Sequence, residues 1–227
     1  MATDHSKTYK LNDVRNVAHV LRLRAILRIL RAKIKYTPRT YADFGCSNGF
    51  ITNKIADLFD LSDSTGYDYS DNVIVGSRLY PKIRFERLDL NVVHDNIDHY
   101  DLVTCFETLE HVGNLESAVA NVCQSRAPEG SLLISVPIEI GFIGIIKYAI
   151  KRILFRYDLP LMCNDFQYIT ALIRGERISR FRAPESGYGS HFGFDYRDVD
   201  DLVVNHAGAL VKIQNSVTTR FYFIGKD

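Results

Sequence analysis

At 227 residues the chain suits one domain with an inserted segment and is too short for several independent domains. Apolar residues at 46% and charged residues at 24% suit a packed core, and a net charge of +1 excludes attraction of the whole surface to nucleic acid or to an anionic membrane, leaving only local patches. The four cysteines, Cys46, Cys105, Cys123 and Cys163, show neither CxxC spacing nor a small secreted framework, which points to free thiols in the reducing cytoplasm.

The opening residues lack the apolar stretch of a signal peptide. Residues 11–35 read as one helix, with Val14, Val17, Ala18, Leu21 and Ala25 as its apolar stripe and Arg24, Arg28, Arg31 and Lys35 as a basic one. Thr37-Pro38 ends it, so residues 1–38 form an N-terminal helical segment ahead of a main domain at 39–227. From there short apolar runs alternate with helical stretches, the signature of βαβ units and a mostly parallel sheet. Strands are predicted at Tyr41–Phe44, Ser64–Tyr67, Ile83–Leu88, Leu102–Cys105 and Leu132–Val136, with helices at Phe50–Phe59, Asn72–Leu79 and Leu115–Ser125. A turn at Pro128–Gly130 separates the last of these helices from the fifth strand. Residues 139–190 interrupt the pattern before a helix at Tyr196–Ala207 and a terminal antiparallel pair, Leu210–Val217 with Arg220–Gly225. The longest apolar run, Gly141–Ile146, is halted by Lys147 and is too short to span a bilayer.

The strongest local signal is Asp43-Phe-Gly45-Cys46-Ser47-Asn48-Gly49, where a strand runs into a glycine turn that opens a helix. Gly45 can take the tight turn and Gly49 permits close helix–strand contact. The spacing is not GxGxxG, and an acid at Asp43 would repel a pyrophosphate while accepting from an ammonium group. Asp68, beside Tyr69 at the end of the second strand, stands about 20 residues beyond the turn, where a carboxylate accepts ribose hydroxyls. Asp89, followed by Leu90, brings a third acid to the tip of the third strand, within reach of an adenine amino group.

These residues, with Asp101-Leu-Val-Thr-Cys-Phe106-Glu107-Thr-Leu-Glu110-His111-Val112 after the fourth strand, resemble the class I S-adenosylmethionine-dependent methyltransferase family. The resemblance implies an α/β, doubly wound, seven-stranded and mostly parallel Rossmann-like sheet whose last strand is antiparallel. It implies S-adenosylmethionine bound by Asp43, Gly45, Cys46, Ser47, Asn48, Gly49, Asp68, Tyr69, Asp89, Leu90 and Phe106. Ser47 replaces the middle glycine of the family's turn, which a serine fits with a negative φ.

Glu107, Glu110 and His111 are spaced i, i+3, i+4 and would share one face of a helical turn beside the transferred methyl. The segment resembles that of ubiquinone-biosynthesis O-methyltransferases and of small-RNA terminal 2′-O-methyltransferases. With His191 as a fourth ligand the group could hold Mg²⁺, Mn²⁺ or Zn²⁺; otherwise the acid caps a helix, and His111 or His191 is the general base. Residues 139–190 read as a lid or acceptor-binding insertion, whose Tyr148, Tyr157, Phe166, Tyr168, Phe181 and Tyr188 suit stacking on a ring or sugar face. Lys147, Lys151, Arg152 and Arg156 alternate there with Ile and Leu, which fits either a helical lid with a solvated basic edge or a segment lying at the inner face of a membrane. The expected function is O-methylation of a small molecule or glycan, lipid-linked acceptors included. RNA ribose methylation, N-methylation and non-catalytic cofactor binding are the rivals; nucleic acid is disfavoured as a partner, and oligomeric state is not legible.

Overall fold

The computed structural model describes residues 16–154, 162–183 and 192–225. Helix α1 (Val17–Lys33) precedes β1 (Thr40–Phe44), α2 (Phe50–Phe59), β2 (Asp63–Asp68), α3 (Asn72–Leu79), β3 (Arg84–Arg87), β4 (Tyr100–Phe106), α4 (Leu115–Gln124) and β5 (Arg126–Pro137). Then come α5 (Gly141–Leu154), α6 (Asp165–Arg174), a 3-10 turn at Ser179–Phe181, α7 (Tyr196–His206), β6 (Val211–Asn215) and β7 (Thr219–Ile224). The strands form one sheet in the order β3-β2-β1-β4-β5-β7-β6. Neighbours pair in parallel except where β7 inserts antiparallel between β5 and β6, as the expected topology requires.

Alternation along the central strands sorts side chains into two layers. Tyr41, Leu102, Leu133 and Phe221 pack with Ile26, Leu30 and Ile55 of α1 and α2, while Ala42, Phe44, Val103, Ile134 and Tyr222 pack with Val119 and Val122 of α4 and Val199 and Val203 of α7. Strand order reverses between β1 and β4, so a crevice opens outside their carboxyl ends. Every catalytic or cofactor candidate that lies among the described residues belongs to a loop at that edge or to a strand end leading into it.

Two expectations about local structure need correction. Two residues of the apolar stripe assigned to α1 face outward, Leu21 being 57% exposed and Val17 38%, whereas Ala25 packs against a core face formed by Ile26, Ile29, Leu30 and Ile34. The Pro128–Gly130 segment is not a turn between elements but a bulge inside a longer β5. Tyr100 pairs with Arg126 and Leu102 with Ser131, leaving four residues to be accommodated on one strand opposite a single residue on the other. The Arg126 guanidinium fills the bulge, donating to the carbonyls of Ala127, Pro128 and Gly130 at 3.2 Å each and to Ala207 at 3.1 Å.

The inserted segment builds a core of its own from Tyr148, Tyr168, Ala171, Leu172 and Ile178, with the two tyrosine rings 4.8 Å apart. A capping box at Asn164 and Gln167 starts α6, and Gly175 in the left-handed region ends it. Arg197 ties this unit to α7 by donating to the Gly175 and Glu176 carbonyls at 2.8 Å each, while the Asp195 carboxylate accepts from the Ile178 amide at 3.2 Å. Lys147 turns inward to the Glu139 carboxylate at 3.1 Å, and Arg152 pairs with Asp165 at 3.1 Å, so neither belongs to an unpaired basic edge. Among the described residues no helix is long and apolar enough to cross a membrane.

Candidate functional site

The turn after β1 is shaped by backbone conformation and close contact. Gly45 has φ +78°, its amide donates to the Tyr67 carbonyl at 2.7 Å, and a Cβ there would fall 1.9 Å from Thr108 Oγ1. Gly49, also at φ +78°, opens α2, and the Phe85 ring fills the space its side chain would take. Ser47 departs from expectation, for its φ is +49°. Two bonds hold it in this region that side chains disfavour: its amide donates to Asp68 Oδ2 at 2.8 Å, and Asn72 Nδ2 donates to its hydroxyl at 3.1 Å.

The three acids differ in surroundings. Asp43 is buried at the tip of β1, with Thr52 Oγ1 donating to Oδ2 and Thr104 Oγ1 to Oδ1, both at 2.7 Å. Burial raises its carboxyl to about 6, although the two hydroxyls favour the ionised form. Each oxygen keeps a lone pair for another donor. At Asp68, Oδ1 accepts from the Ser70 amide at 2.8 Å and hydroxyl at 2.6 Å, and Oδ2 accepts from Ser47. Of about four lone-pair positions on a carboxylate, the remaining one suits a single ribose hydroxyl, and a second becomes available if the Ser70 hydroxyl turns away. Asp89 bends back on its own loop, with Oδ1 accepting from the Asn91 amide and side chain at 2.9 Å each; its neighbours Leu88 and Leu90, not Asp89 itself, line the cleft.

Two adjoining hollows occupy the crevice. One, of about 290 Å³, runs from Gly45 and Ser47 past Asp68, Tyr69 and Ser70 to Leu88 and Leu90. The other, of about 300 Å³, lies toward α1 and α2, between Asp43, Cys46, Asn48, Phe106, His19 and Arg22. They share Gly45, Ser47, Glu107 and His111, so the trough is continuous across the switch point. Tyr69 is 44% exposed at the rim, with the Arg87 guanidinium 5.1 Å over its ring.

Of the two alternatives for this segment, the metal group does not assemble among the described residues. Residues 107–111 make a turn and not a helix, because Glu107 has φ +50° and the His111 amide donates to Thr108. The premise that spacing puts Glu107, Glu110 and His111 on one face therefore fails. Glu107 swings to Arg22 of α1, 2.9 Å from its guanidinium, and accepts from Ser135 Oγ at 3.3 Å. Glu110 is buried beneath the turn, where desolvation and then the Glu107 charge push its carboxyl well above the usual range and favour the neutral acid, a poor ligand. Among the described residues no group of three or more His, Cys, Asp and Glu side chains converges as a metal site. His191 lies outside the described residues, as do Arg156, Tyr157 and Tyr188. His111 is half-buried at the junction of both hollows, which keeps it in contact with any molecule spanning them.

Sequence reasoning missed Arg22 and His19, which α1 delivers to the second hollow, and the hydroxyl and amide groups of Thr52, Thr104, Thr108, Ser70 and Asn72 that brace the acids and glycines. A signal for Arg22 was present: it lies one turn before Ile26 on the buried seam of α1.

A model of the methyltransferase domain family matches residues 15–183. A ubiquinone biosynthesis O-methyltransferase of Coxiella burnetii (strain Dugway 5J108-111) is 24% identical over 114 residues, covering 48% of this chain and 48% of the relative. The chain thus spans about half the length of the curated relatives it matches. Magnesium protoporphyrin IX methyltransferase from Synechocystis PCC 6803, solved with bound S-adenosylhomocysteine, superposes with a TM-score of 0.59 at 15% identity, over 97% of this chain and 92% of that one. The methyltransferase domain of bacterial CtHen1 gives 0.57 at 14% identity, over 92% and 99%. At such identities the superpositions show a shared fold.

Proposed function

Because this chain belongs to the methyltransferase domain family, we propose that it moves a methyl group from S-adenosylmethionine to a hydroxyl oxygen of a small molecule or glycan, lipid-linked acceptors included. The observation that carries the reading is the continuous trough with an ionisable acid near each end, Asp43 in one hollow and Asp68 in the other, and His111 at the junction. An adenosine bearing an amino-acid tail fits that arrangement. Asp68 accepts from the ribose, Leu88 and Leu90 flank the base, Asp43 receives the ammonium, and Arg22 lies on the same side for the carboxylate. Bound there, S-adenosylmethionine would supply an electrophilic sulfonium methyl; the acceptor oxygen would bond to that carbon in line as the carbon–sulfur bond breaks, releasing S-adenosylhomocysteine and the hydroxyl proton.

His111 is the group placed to take that proton, because it stands where the two hollows meet, beside any acceptor that reaches the methyl. Glu107, held by Arg22 and Ser135, borders both hollows and orients the acceptor. The α5–α6 unit acts as the lid and acceptor-binding insertion. The outward face of α5, with Phe142 exposed by 76%, Ile146 by 43% and Ile150 by 42%, supports contact with the cytoplasmic surface of a membrane, where lipid-linked acceptors reside.

Calorimetric titration with S-adenosylhomocysteine tests the donor site: wild type binds and Asp68→Ala does not, and equal affinities would refute the ribose contact. Mass spectrometry of a metabolite and glycan extract incubated with enzyme and methyl-labelled S-adenosylmethionine tests the acceptor class. Label recovered only on nitrogen would end the O-methylation reading.

A further inference from the structure

The turn that carries His111 is rooted in the core by Leu109 and Val112 and is closed by a backbone bond from the His111 amide to the Thr108 carbonyl at 3.0 Å. It is gripped from two sides. On the cofactor side Asn91 Oδ1 accepts from the Gly113 and Asn114 amides at 2.7 and 2.8 Å, and the same Asn91 is bonded to Asp89. On the lid side Arg182, just past the 3-10 turn, reaches across 70 residues of chain. Its Nη2 donates to the carbonyl of Glu110 at 2.6 Å and to that of Val112 at 3.1 Å. These carbonyls belong to the residues immediately before and after His111.

From this juxtaposition we infer that Arg182 is a positioning residue, which fixes the orientation of the His111 imidazole and makes it depend on the seating of the α5–α6 unit. A guanidinium suits this task. The two hydrogens of its planar Nη2 serve the two carbonyls at once, and its charge strengthens both bonds, whereas a lysine ammonium offers a point charge without the fixed geometry. The backbone of Arg182 is itself constrained, because Gly193 packs so closely that a Cβ there would lie 3.0 Å from the Arg182 Cα. The lid therefore grips the turn through an anchored residue. The inference rests on the proposed role of His111 as base, and it adds that the lid sets the geometry of that base.

The test uses the full chain labelled with ¹³C-histidine, with the His111 ring signal assigned by its loss in His111→Gln. In wild type with S-adenosylhomocysteine this signal is single and sharp. In Arg182→Ala it shifts and broadens or doubles, and exchange of the His111 amide quickens by about tenfold to a hundredfold, as expected when charge-assisted bonds to one local turn are lost. Affinity for S-adenosylhomocysteine stays unchanged, because Arg182 touches neither hollow. Millimolar methylguanidinium restores the Arg182→Ala signal, and Arg182→Lys falls between wild type and Ala. Arg180→Ala, which removes a pair with Glu176 and the stacking on the Phe181 ring but no bond to the His111 turn, leaves His111 as in wild type. Should Arg182→Ala fail to fold, the ring signal and amide exchange of Arg182→Lys decide. Ring and amide behaviour identical to wild type in these variants overturns the inference. Failure of wild type to bind S-adenosylhomocysteine would defeat the donor reading instead, while the ligand-free spectra still judge Arg182.

Discussion

Gly45→Ala puts the turn after β1 under a load that the structure allows to be estimated. At φ +78° an alanine pays about 1–2 kcal/mol for the left-handed backbone alone. Its Cβ would also stand 1.9 Å from Thr108 Oγ1, 2.5 Å from Cγ2 and 2.7 Å from Cβ, so no rotation of Thr108 removes the clash, and overpacking of this kind adds about 1–3 kcal/mol. The expected loss is about 2–5 kcal/mol, a large share of the roughly 5–15 kcal/mol that holds a domain together. Urea unfolding followed by circular dichroism measures it for Gly45→Ala, Thr108→Gly and the double variant. Thr108→Gly alone is destabilising, since Oγ1 bonds the Phe106 carbonyl at 3.0 Å, but in the double variant it relieves the clash. The cycle should show a favourable coupling of about 1–3 kcal/mol, with only the backbone cost remaining. Additivity within about 0.5 kcal/mol would mean that Thr108 does not press on Gly45 and that the packing argument is wrong.

Asp43 predicts a pH dependence whose sign follows from its raised carboxyl. The unfolded chain ionises near 3.8 and the folded one near 6, so the native state holds the extra proton between these values and stability falls as pH rises through that window. Relative to wild type, Asp43→Asn should therefore gain up to about 3 kcal/mol between pH 4 and pH 6.5, read by urea unfolding across pH; a constant difference contradicts the burial argument. Ser47→Gly relieves the left-handed strain and Ser47→Ala does not, while both lose the Asn72 bond, so the glycine variant should be the more stable of the two by about 1 kcal/mol in thermal melts. The apolar face of α5 predicts co-sedimentation with anionic vesicles, abolished in Phe142→Asp/Ile146→Asp. Wild type left wholly in the supernatant removes the membrane-contact proposal.

Most of the fold was legible because buried parallel strands are written as short apolar runs, and their boundaries fell within a residue or two except at β5. Turn glycines and acids at strand ends then marked the cleft. What sequence rules missed was set by partners distant in the chain. Ser47 was expected at negative φ because side chains avoid the left-handed region, but Asp68 and Asn72, 21 and 25 residues away, supply the bonds that offset the strain. The Pro128-Glu129-Gly130 run carries turn residues, yet Arg126 folds it into the strand and anchors it to the end of α7. The Glu107–His111 spacing means a common face only in a helix, and the positive φ of Glu107 at its first residue forbids one.

Helix α1 shows how such a miss leads to the site. Its buried seam, Ile26, Ile29, Leu30 and Ile34, repeats at three- and four-residue steps, and extending it backward one turn reaches Arg22 and then His19. Reading Val17 and Leu21 as the inner stripe put both polar residues on the solvent side. An arginine on the line of a buried seam either carries an uncompensated desolvation cost or meets an opposite charge. Here it meets Glu107, itself pushed upward by burial and drawn back by Arg22, so each half of the pair accounts for the presence of the other. An ion pair joining α1 to the tip of β4, at the border of both hollows, contributes little that apolar packing could not. Its value lies in holding a cation and an acid where a ligand spanning the trough would meet both.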